Sequence, residues 1–249
     1  YMIEDIKHVD LILTTTDRAR MQFNALTNIP VLKLPYIDTR FDIGKSRQLK
    51  EQFVYFRLDG LTTASYKRIL DATVRYMKTN KRVHLLLVSF ESDAKQQQYM
   101  ANILRMLLAS YDDPDMVLME ENSYTIENSA FPEKESRVSL SFITPADDVI
   151  KILSNCRLVV DLADEPDMYT HIAALSAAIP QINKLPSEFV HHKKNGYITL
   201  DLDNLYDGLV YYLTGLAHWN ESMIYCIKLI EKYSDTEIVK RVRLMLNRG

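Results

Sequence analysis

Glycine is scarce in this chain, with six residues among 249. Phosphate-binding loops need closely spaced glycines where the backbone approaches the ligand, and neither a G-x-G-x-x-G nor a Walker A pattern occurs. The two cysteines, Cys156 and Cys226, stand in apolar surroundings without a C-x-x-C pair or a histidine at metal-ligand spacing. They are therefore predicted to be buried free thiols in a reducing compartment.

A basic excess and long apolar runs are also missing. The net charge is -3, so no surplus of cations exists to neutralise the phosphates of a nucleic acid. No apolar run reaches the roughly 20 residues of a membrane span, and residues 1–10 do not resemble a signal peptide. A hydrophobic content of 47% is ordinary for a globular protein of one large or two small domains.

Short apolar segments alternate with amphipathic segments along the chain. This alternation predicts a parallel sheet with right-handed crossovers, because each helix then covers the sheet between two parallel strands. The polar, aperiodic residues 36–50 and 122–135 are predicted to be a linker and a surface loop. Strands are predicted at residues 9–14, 29–34, 53–58, 83–90, 116–120, 138–143, 158–162, around 182 and at 197–202. Helices are predicted at residues 17–26, 66–77, 100–108, 147–155, 168–177, 205–216, 221–233 and 236–246.

The most informative stretch is residues 157–202, RLVVDLADEPDMYTHIAALSAAIPQINKLPSEFVHHKKNGYITLDL. An apolar strand ends in an acidic loop, a helix of small residues follows, and Ile179-Pro180 starts the next strand. A basic segment then turns on Asn195-Gly196 into another strand. Ligands of open α/β sheets lie beyond the carboxyl ends of the strands. We expect the loop 163–167 and the turn 193–196 to be two such edges.

This order of elements resembles the nucleotide-sugar half of the retaining GT-B glycosyltransferases. The resemblance implies an α/β fold with a Rossmann-like parallel sheet, forming the C-terminal half of a two-domain protein. Residues 1–50 would be the tail of the N-terminal Rossmann-like domain and the linker. Residues 51–214 would be the C-terminal Rossmann-like domain, and residues 215–249 the helices that cross back.

The resemblance also implies which donor contacts are kept. The family has two glutamates eight positions apart, one in the loop for the sugar and one on the helix for the ribose. With Pro180 as the anchor, the first falls on Glu165 and the second on Ala173. Ala178 replaces the family's glycine before that proline. The scaffold is therefore expected to persist while part of the chemistry is lost.

The diphosphate contacts are similarly incomplete. Arg57 stands where the family has the arginine that binds the donor diphosphate. The accompanying lysine position falls on Thr62, and Phe56 replaces the glycine before the arginine. A structural ion pair at a strand end explains Arg57 equally well.

Candidate ligand-binding residues lie in these segments, and each has a simpler explanation. Acids around Asp167 are favoured at a helix N-terminus, with Asp167 as the N-cap. Adjacent histidines in an extended segment point to opposite faces, so we expect no zinc site. No catalytic residue, metal or cofactor is predicted. The candidates for a sugar or nucleotide cleft are Arg57, Asp164, Glu165, His171, His192, Lys194 and Asn195.

The phrases DLADEPDMYTHIAALSAAIPQIN and FVHHKKNGYI are similar to one GT-B-like group, the first of the three accessory secretory proteins of the accessory Sec system. That similarity implies a non-catalytic cytoplasmic protein, free or peripheral to the inner face of the cell membrane. Its partners would be the sibling accessory secretory proteins and the motor ATPase. Its cargo would be a serine-rich-repeat glycoprotein, bound through its chain or its glycans. An active retaining nucleotide-sugar glycosyltransferase and a sugar epimerase are the alternatives.

Overall fold

The computed structural model describes residues 9–34, 53–120, 136–143, 149, 152–153, 155–187, 189–232 and 235–246. The strands are β1 Ile12–Thr14, β2 Val31–Lys33, β3 Phe53–Arg57, β4 His84–Ser89, β5 Leu118–Glu120, β6 Val138–Phe142, β7 Cys156–Asp161, β8 Gln181–Asn183 and β9 Gly196–Ile198. The helices are α1 Asp17–Leu26, α2 Thr63–Thr79, α3 Ala94–Ala109, α4 Met168–Ser176, α5 Leu205–Leu213, α6 Leu216–Glu231 and α7 Asp235–Leu246.

Seven strands form one parallel sheet in the order β5-β6-β4-β3-β7-β8-β9. The parallel sheet predicted from the alternation is thus confirmed. The strands β1 and β2 pair with each other in a separate two-stranded parallel sheet. Strand order reverses between β3 and β7, which is the position where open α/β sheets bind ligands.

Helices cover both faces of the large sheet. Val54 and Phe56 of β3 face a core shared with α2, α3 and α5. Phe53 and Tyr55 face the opposite core, which contains the alanine-rich face of α4. Alternate residues of one strand therefore enter two cores, which explains why the central strands are apolar throughout.

The helix α2 forms where the i, i+3, i+4, i+7 spacing predicts it. Its buried apolar face packs against the sheet, and the Thr62 hydroxyl accepts a hydrogen bond from the backbone N–H of Ser65. The N-cap of α1 is Thr16, whose side chain accepts a hydrogen bond from the backbone N–H of Ala19. Several predicted strands extend one to three residues beyond the observed strands.

Other sequence-based boundaries also differ. The helix α6 begins at Leu216, five residues before the predicted start, because Trp219 is buried against the amino end of β7 and keeps the helix in contact there. The strand predicted at 197–202 ends at Ile198 and is followed by a 3-10 turn at Leu202–Asn204. Residues 149, 152, 153 and 155 of the predicted helix 147–155 are helical, while the predicted linker and surface loop lie outside the described residues.

Both cysteines are buried free thiols, as predicted. Burial in an apolar environment raises the pKa of the Cys226 thiol to about 12, so it is inert as a nucleophile. In the described parts of the chain, no helix has the length and apolar character needed to cross a bilayer.

Candidate functional site

An ion pair occupies the point where the strand order reverses. Arg57 ends β3, Asp161 ends β7, and the two strands are neighbours in the sheet. The Arg57 Nη1 donates to both carboxylate oxygens of Asp161, at 3.1 and 3.2 Å, and to the backbone oxygen of Glu165 at 3.2 Å. The Asp59 carboxylate lies 3.7 Å from Arg57 Nε. The Arg57 charge is thus balanced by two carboxylates of the same chain.

The Asp161 carboxylate is the centre of a buried hydrogen-bond network. Its side chain is fully buried, and it accepts bonds from the backbone N–H groups of Ala163 and Asp167. His171 Nε2 lies 3.0 Å from the same carboxylate, and the Asn183 amide nitrogen lies 3.0 Å from His171 Nε2 and 3.3 Å from Nδ1. With the ring proton on Nε2, His171 donates to Asp161. His171 therefore orders the acidic loop from inside the protein.

The charge state of Asp161 follows from these contacts. Burial alone would raise the pKa of its carboxyl. The hydrogen bond from His171 and the nearby charge of Arg57 outweigh burial, so the pKa of Asp161 lies below its ordinary value. The carboxylate stays ionised at neutral pH, and the ion pair is present there.

The acidic loop turns its remaining carboxylates outward. Asp164 and Glu165 are exposed, and Lys184 pairs with Asp164 at 2.5 Å. Ala173 is buried against the sheet on the inner face of α4, where it provides no polar group. Phe56 is fully buried in the core rather than at the edge.

Carboxylates also cap two helices at this edge. Asp93 accepts bonds from Lys95 N and Gln96 N at the start of α3. Asp167 accepts bonds from Tyr169 N and Thr170 N at the start of α4, which confirms its expected N-cap role. Helix N-termini bind phosphate through these same N–H groups and their positive dipole end. At α3 and α4 that role is already filled by the protein's own acids.

We expect Asp167→Ala to destabilise the protein by about 1 kcal/mol, because the first turn of α4 loses its capping acceptor. The nearby Asp164→Ala is the matched control, with an expected change near zero because its exposed ion pair is solvated. Urea denaturation followed by far-UV circular dichroism measures both. Equal stability of the two variants would show that the cap is unimportant.

The turn 193–196 does not lie at this edge, contrary to expectation. Strand β9 runs parallel to β8 and begins at Gly196, so the residues just before it sit at the amino end of the sheet. His192, Lys194 and Asn195 are therefore separated from Arg57 and the acidic loop. The prediction was wrong because a parallel strand can begin only after the chain has crossed back to the amino edge.

At this opposite edge the three residues have different surroundings. His192 and Lys194 are exposed, and His192 Nδ1 accepts a bond from Ile198 N. Asn195 is buried, accepts from His191 N at 2.8 Å and donates to Phe189 O at 2.7 Å. It closes the turn, and Lys193 supplies the left-handed conformation with φ 57°. His191 instead contacts Tyr225 of α6, so the two histidines do diverge.

Asp161 and Asn183 were missed by the sequence reasoning. Asp161 is the polar last residue of an apolar strand, next to the reversal of strand order, and that position was the available signal. In the described residues no group of three or more His, Cys, Asp or Glu side chains is arranged to hold a metal ion.

A family model for the first accessory secretory protein of the accessory Sec system matches residues 2–248. This chain belongs to that family. The family member from Streptococcus gordonii is 30% identical over 246 residues, covering 95% of this chain and 46% of that protein. The chain thus spans about half the length of this relative.

Solved structures agree with the family assignment. A Glycosylation Associate Protein (Gap123) complex from Streptococcus agalactiae matches with a TM-score of 0.85 and 30% identity, over 98% of this chain and 47% of the matched one. A crystal structure of accessory secretory protein 1, 2 and 3 in Streptococcus pneumoniae matches with a TM-score of 0.76 and 25% identity, over 99% and 46%.

Glycosyltransferases share the fold at lower identity. The pneumococcal O-GlcNAc transferase GtfA, solved with UDP and GlcNAc, matches with a TM-score of 0.57 and 15% identity, over all of this chain and 47% of GtfA. This likeness concerns the fold alone. It confirms the Rossmann-like, GT-B-type architecture expected from residues 157–202.

Proposed function

We propose that this chain is part of a non-catalytic, GT-B-like component of the accessory Sec export system. It acts in the cytoplasm with its sibling accessory secretory proteins and the motor ATPase, and it binds a serine-rich-repeat glycoprotein cargo. Membership in the family of the first accessory secretory protein supports the export role. The observation that supports a non-catalytic role is the Arg57–Asp161 pair at the reversal of strand order.

The electrostatics of the carboxyl edge support the same proposal. The described loops 58–62, 90–93, 162–167 and 184–186 contain six acids and one lysine, and that lysine is paired with Asp164. A donor diphosphate would bring its negative charge against Asp161 and the capping carboxylates, and these loops hold no free cation to offset it. Releasing Arg57 for the diphosphate would leave Asp161 buried and unpaired, which costs about 3–5 kcal/mol. Two effects therefore oppose donor binding: repulsion from the acidic residues and the cost of releasing Arg57 from Asp161.

Glu165→Gln tests the non-catalytic role in cells. Glu165 is exposed, and only its backbone oxygen takes part in the Arg57 network, so the variant should fold normally. We expect cargo export and the cargo's glycan pattern to be unchanged, as in the matched Asp164→Asn strain. Immunoblots and lectin blots of secreted and cell-wall cargo measure both. A glycan that disappears in Glu165→Gln while export continues would establish sugar transfer instead.

Partner binding is tested separately with the full-length protein. Co-expression with the sibling accessory proteins and size-exclusion chromatography should give one comigrating assembly. If the siblings elute apart from this protein at concentrations where each is folded, the proposed role in an assembly is contradicted.

A further inference from the structure

A pocket of about 520 Å³ lies at one side of the large sheet, where α3 ends and β5 begins. Its volume is within the range of well-formed ligand pockets, about 300–1,000 Å³. Because β5 is an outer strand and the pocket is at its start, the pocket is separated from Arg57 and the acidic loop. Six of the lining residues are apolar, namely Leu108, Ala109, Pro114, Met116, Val117 and Leu118.

The strand β5 has one edge without a neighbouring strand. Among the described residues β5 pairs with β6 alone. The backbone oxygen of Val117 accepts from the hydroxyl of Ser136, which precedes β6, so Val117 directs its backbone groups towards β6. Backbone direction alternates along a strand, so Leu118 and Glu120 direct their N–H and C=O groups away from β6. Another extended segment can add to such an edge through these groups.

Apolar surface is exposed beside this edge. Val117, directly before β5, is 57% exposed, and Met106, one helical turn before Ala109 on α3, is 66% exposed. Leu108 and Leu118 are buried and contribute the floor of the pocket. Because β5 has three residues, it offers few backbone hydrogen bonds. An apolar side chain that enters the pocket must therefore supply much of the binding free energy.

The charges around the pocket favour a basic group in the ligand. Three nearby carboxylates already have cationic partners: Glu120 with Arg105, Asp115 with Lys81, and Asp113 with the buried Arg137. The exposed Asp112, which lines the pocket, has no cationic partner in the described part of the chain. A lysine or arginine of the ligand would complement this remaining charge.

We propose that the edge of β5 and this pocket bind an extended segment of a partner protein in which apolar and basic residues alternate. The segment adds to β5 as a further strand, one apolar side chain enters the pocket, and a basic side chain lies beside Asp112. This interface is independent of the proposed function, since it uses none of the residues at the carboxyl edge.

Fluorescence anisotropy with labelled hexapeptides and the full-length protein tests the interface. One peptide alternates valine with lysine, a second alternates valine with glutamate, and a third is the first peptide with every backbone nitrogen methylated. We expect the first peptide to bind about tenfold or more tightly than the other two. Glutamate is repelled by Asp112, and methylation removes the N–H groups that would pair with β5.

Two variants locate the peptide on the protein. Val117→Ser should weaken binding of the valine–lysine peptide about fivefold, because apolar contact is lost. Val239→Ser, at an exposed valine of α7, is its control. Asp112→Asn should weaken binding about two- to fivefold, the effect of one exposed ion pair, and asparagine tolerates the φ of 48° at this position. Asp207→Asn, at an exposed acid of α5, is the control for charge.

Each other result overturns the proposal. Absence of binding, or equal affinity for the three peptides, excludes strand addition at β5. Equal affinity in Val117→Ser and Val239→Ser, or in Asp112→Asn and Asp207→Asn, places the peptide elsewhere. Sedimentation velocity of the protein alone should show no dimer that depends on this edge. A concentration-dependent dimer that is lost in Val117→Ser would make a second copy of the chain the occupant instead.

Discussion

Replacing Arg57 by methionine should destabilise the protein by about 3 kcal/mol. The variant leaves the Asp161 carboxylate fully buried without its cationic partner, and breaking a buried pair typically costs about 3–5 kcal/mol. We expect the low end, because Asp161 keeps the hydrogen bonds from His171, Ala163 N and Asp167 N. Urea denaturation followed by circular dichroism gives the change in the free energy of unfolding.

Two further variants distinguish the loss of the Arg57–Asp161 ion pair from a general effect of removing an arginine. Arg82→Met removes an exposed arginine at the amino edge and should change stability by less than about 0.5 kcal/mol. The double variant Arg57→Met/Asp161→Asn should be more stable than the sum of the single changes predicts, by about 1–3 kcal/mol. Unchanged stability of Arg57→Met would mean that the arginine is held for a ligand.

The stability lost in Arg57→Met should depend on pH. Because the pKa of Asp161 is lowered in the folded protein, ionised Asp161 contributes stability above its unfolded pKa, about 3.9. That contribution disappears as the pH falls through the lower folded pKa. The difference in the free energy of unfolding between wild type and Arg57→Met should therefore have its full size at pH 7 and become smaller below about pH 4. A difference that grows in acid would contradict the ion pair.

Replacing Trp219 by alanine should cost about 3–5 kcal/mol. Trp219 is buried between α6 and the amino end of β7, and its Nε1 donates to Arg157 O at 2.8 Å. The Arg157 guanidinium carbon lies 5.6 Å from the centre of the indole ring. Burial lowers the pKa of Arg157, so removing the ring withdraws a favourable contact from a costly buried cation.

Circular dichroism is the appropriate probe, because Trp219 is the chain's single tryptophan and the variant loses its fluorescence. Trp219→Phe should lie between wild type and alanine, since it keeps a ring but loses the hydrogen bond. Ile224→Ala, on the exposed face of α6, is the control and should cost less than about 1 kcal/mol. A loss below about 1 kcal/mol in Trp219→Ala would contradict the docking of α6 on β7.

Periodicity predicted the elements that lie inside the sheet. Strand β4 is apolar because both faces are covered, and α2 shows one buried stripe, so local pattern and tertiary environment coincide there. The start of α6 was missed because the preceding helix was predicted to continue to residue 216, whereas α5 ends at Leu213 and α6 begins at Leu216. That start is determined by burial of Trp219, whose indole N–H donates to Arg157 O, 62 residues earlier in the sequence.

The candidate site was predictable only in part, for a similar reason. Arg57 and Asp161 are 104 residues apart, and sequence alone left ion pairing and ligand binding equally open for Arg57. The resemblance identified the acidic loop but not the internal partner that orders it. His192, Lys194 and Asn195 were expected at the carboxyl edge of the sheet but lie at the amino edge, because β9 runs parallel to β8. The spacing of apolar residues does not indicate the direction in which a strand runs.

Calorimetric titration of the full-length protein with UDP and UDP-N-acetylglucosamine tests the central claim most directly. The Arg57–Asp161 pair and the capping acids predict no binding heat for either ligand. Micromolar binding of either nucleotide that is lost in Glu165→Gln would show that the carboxyl edge still accepts a donor. That result would contradict the non-catalytic account.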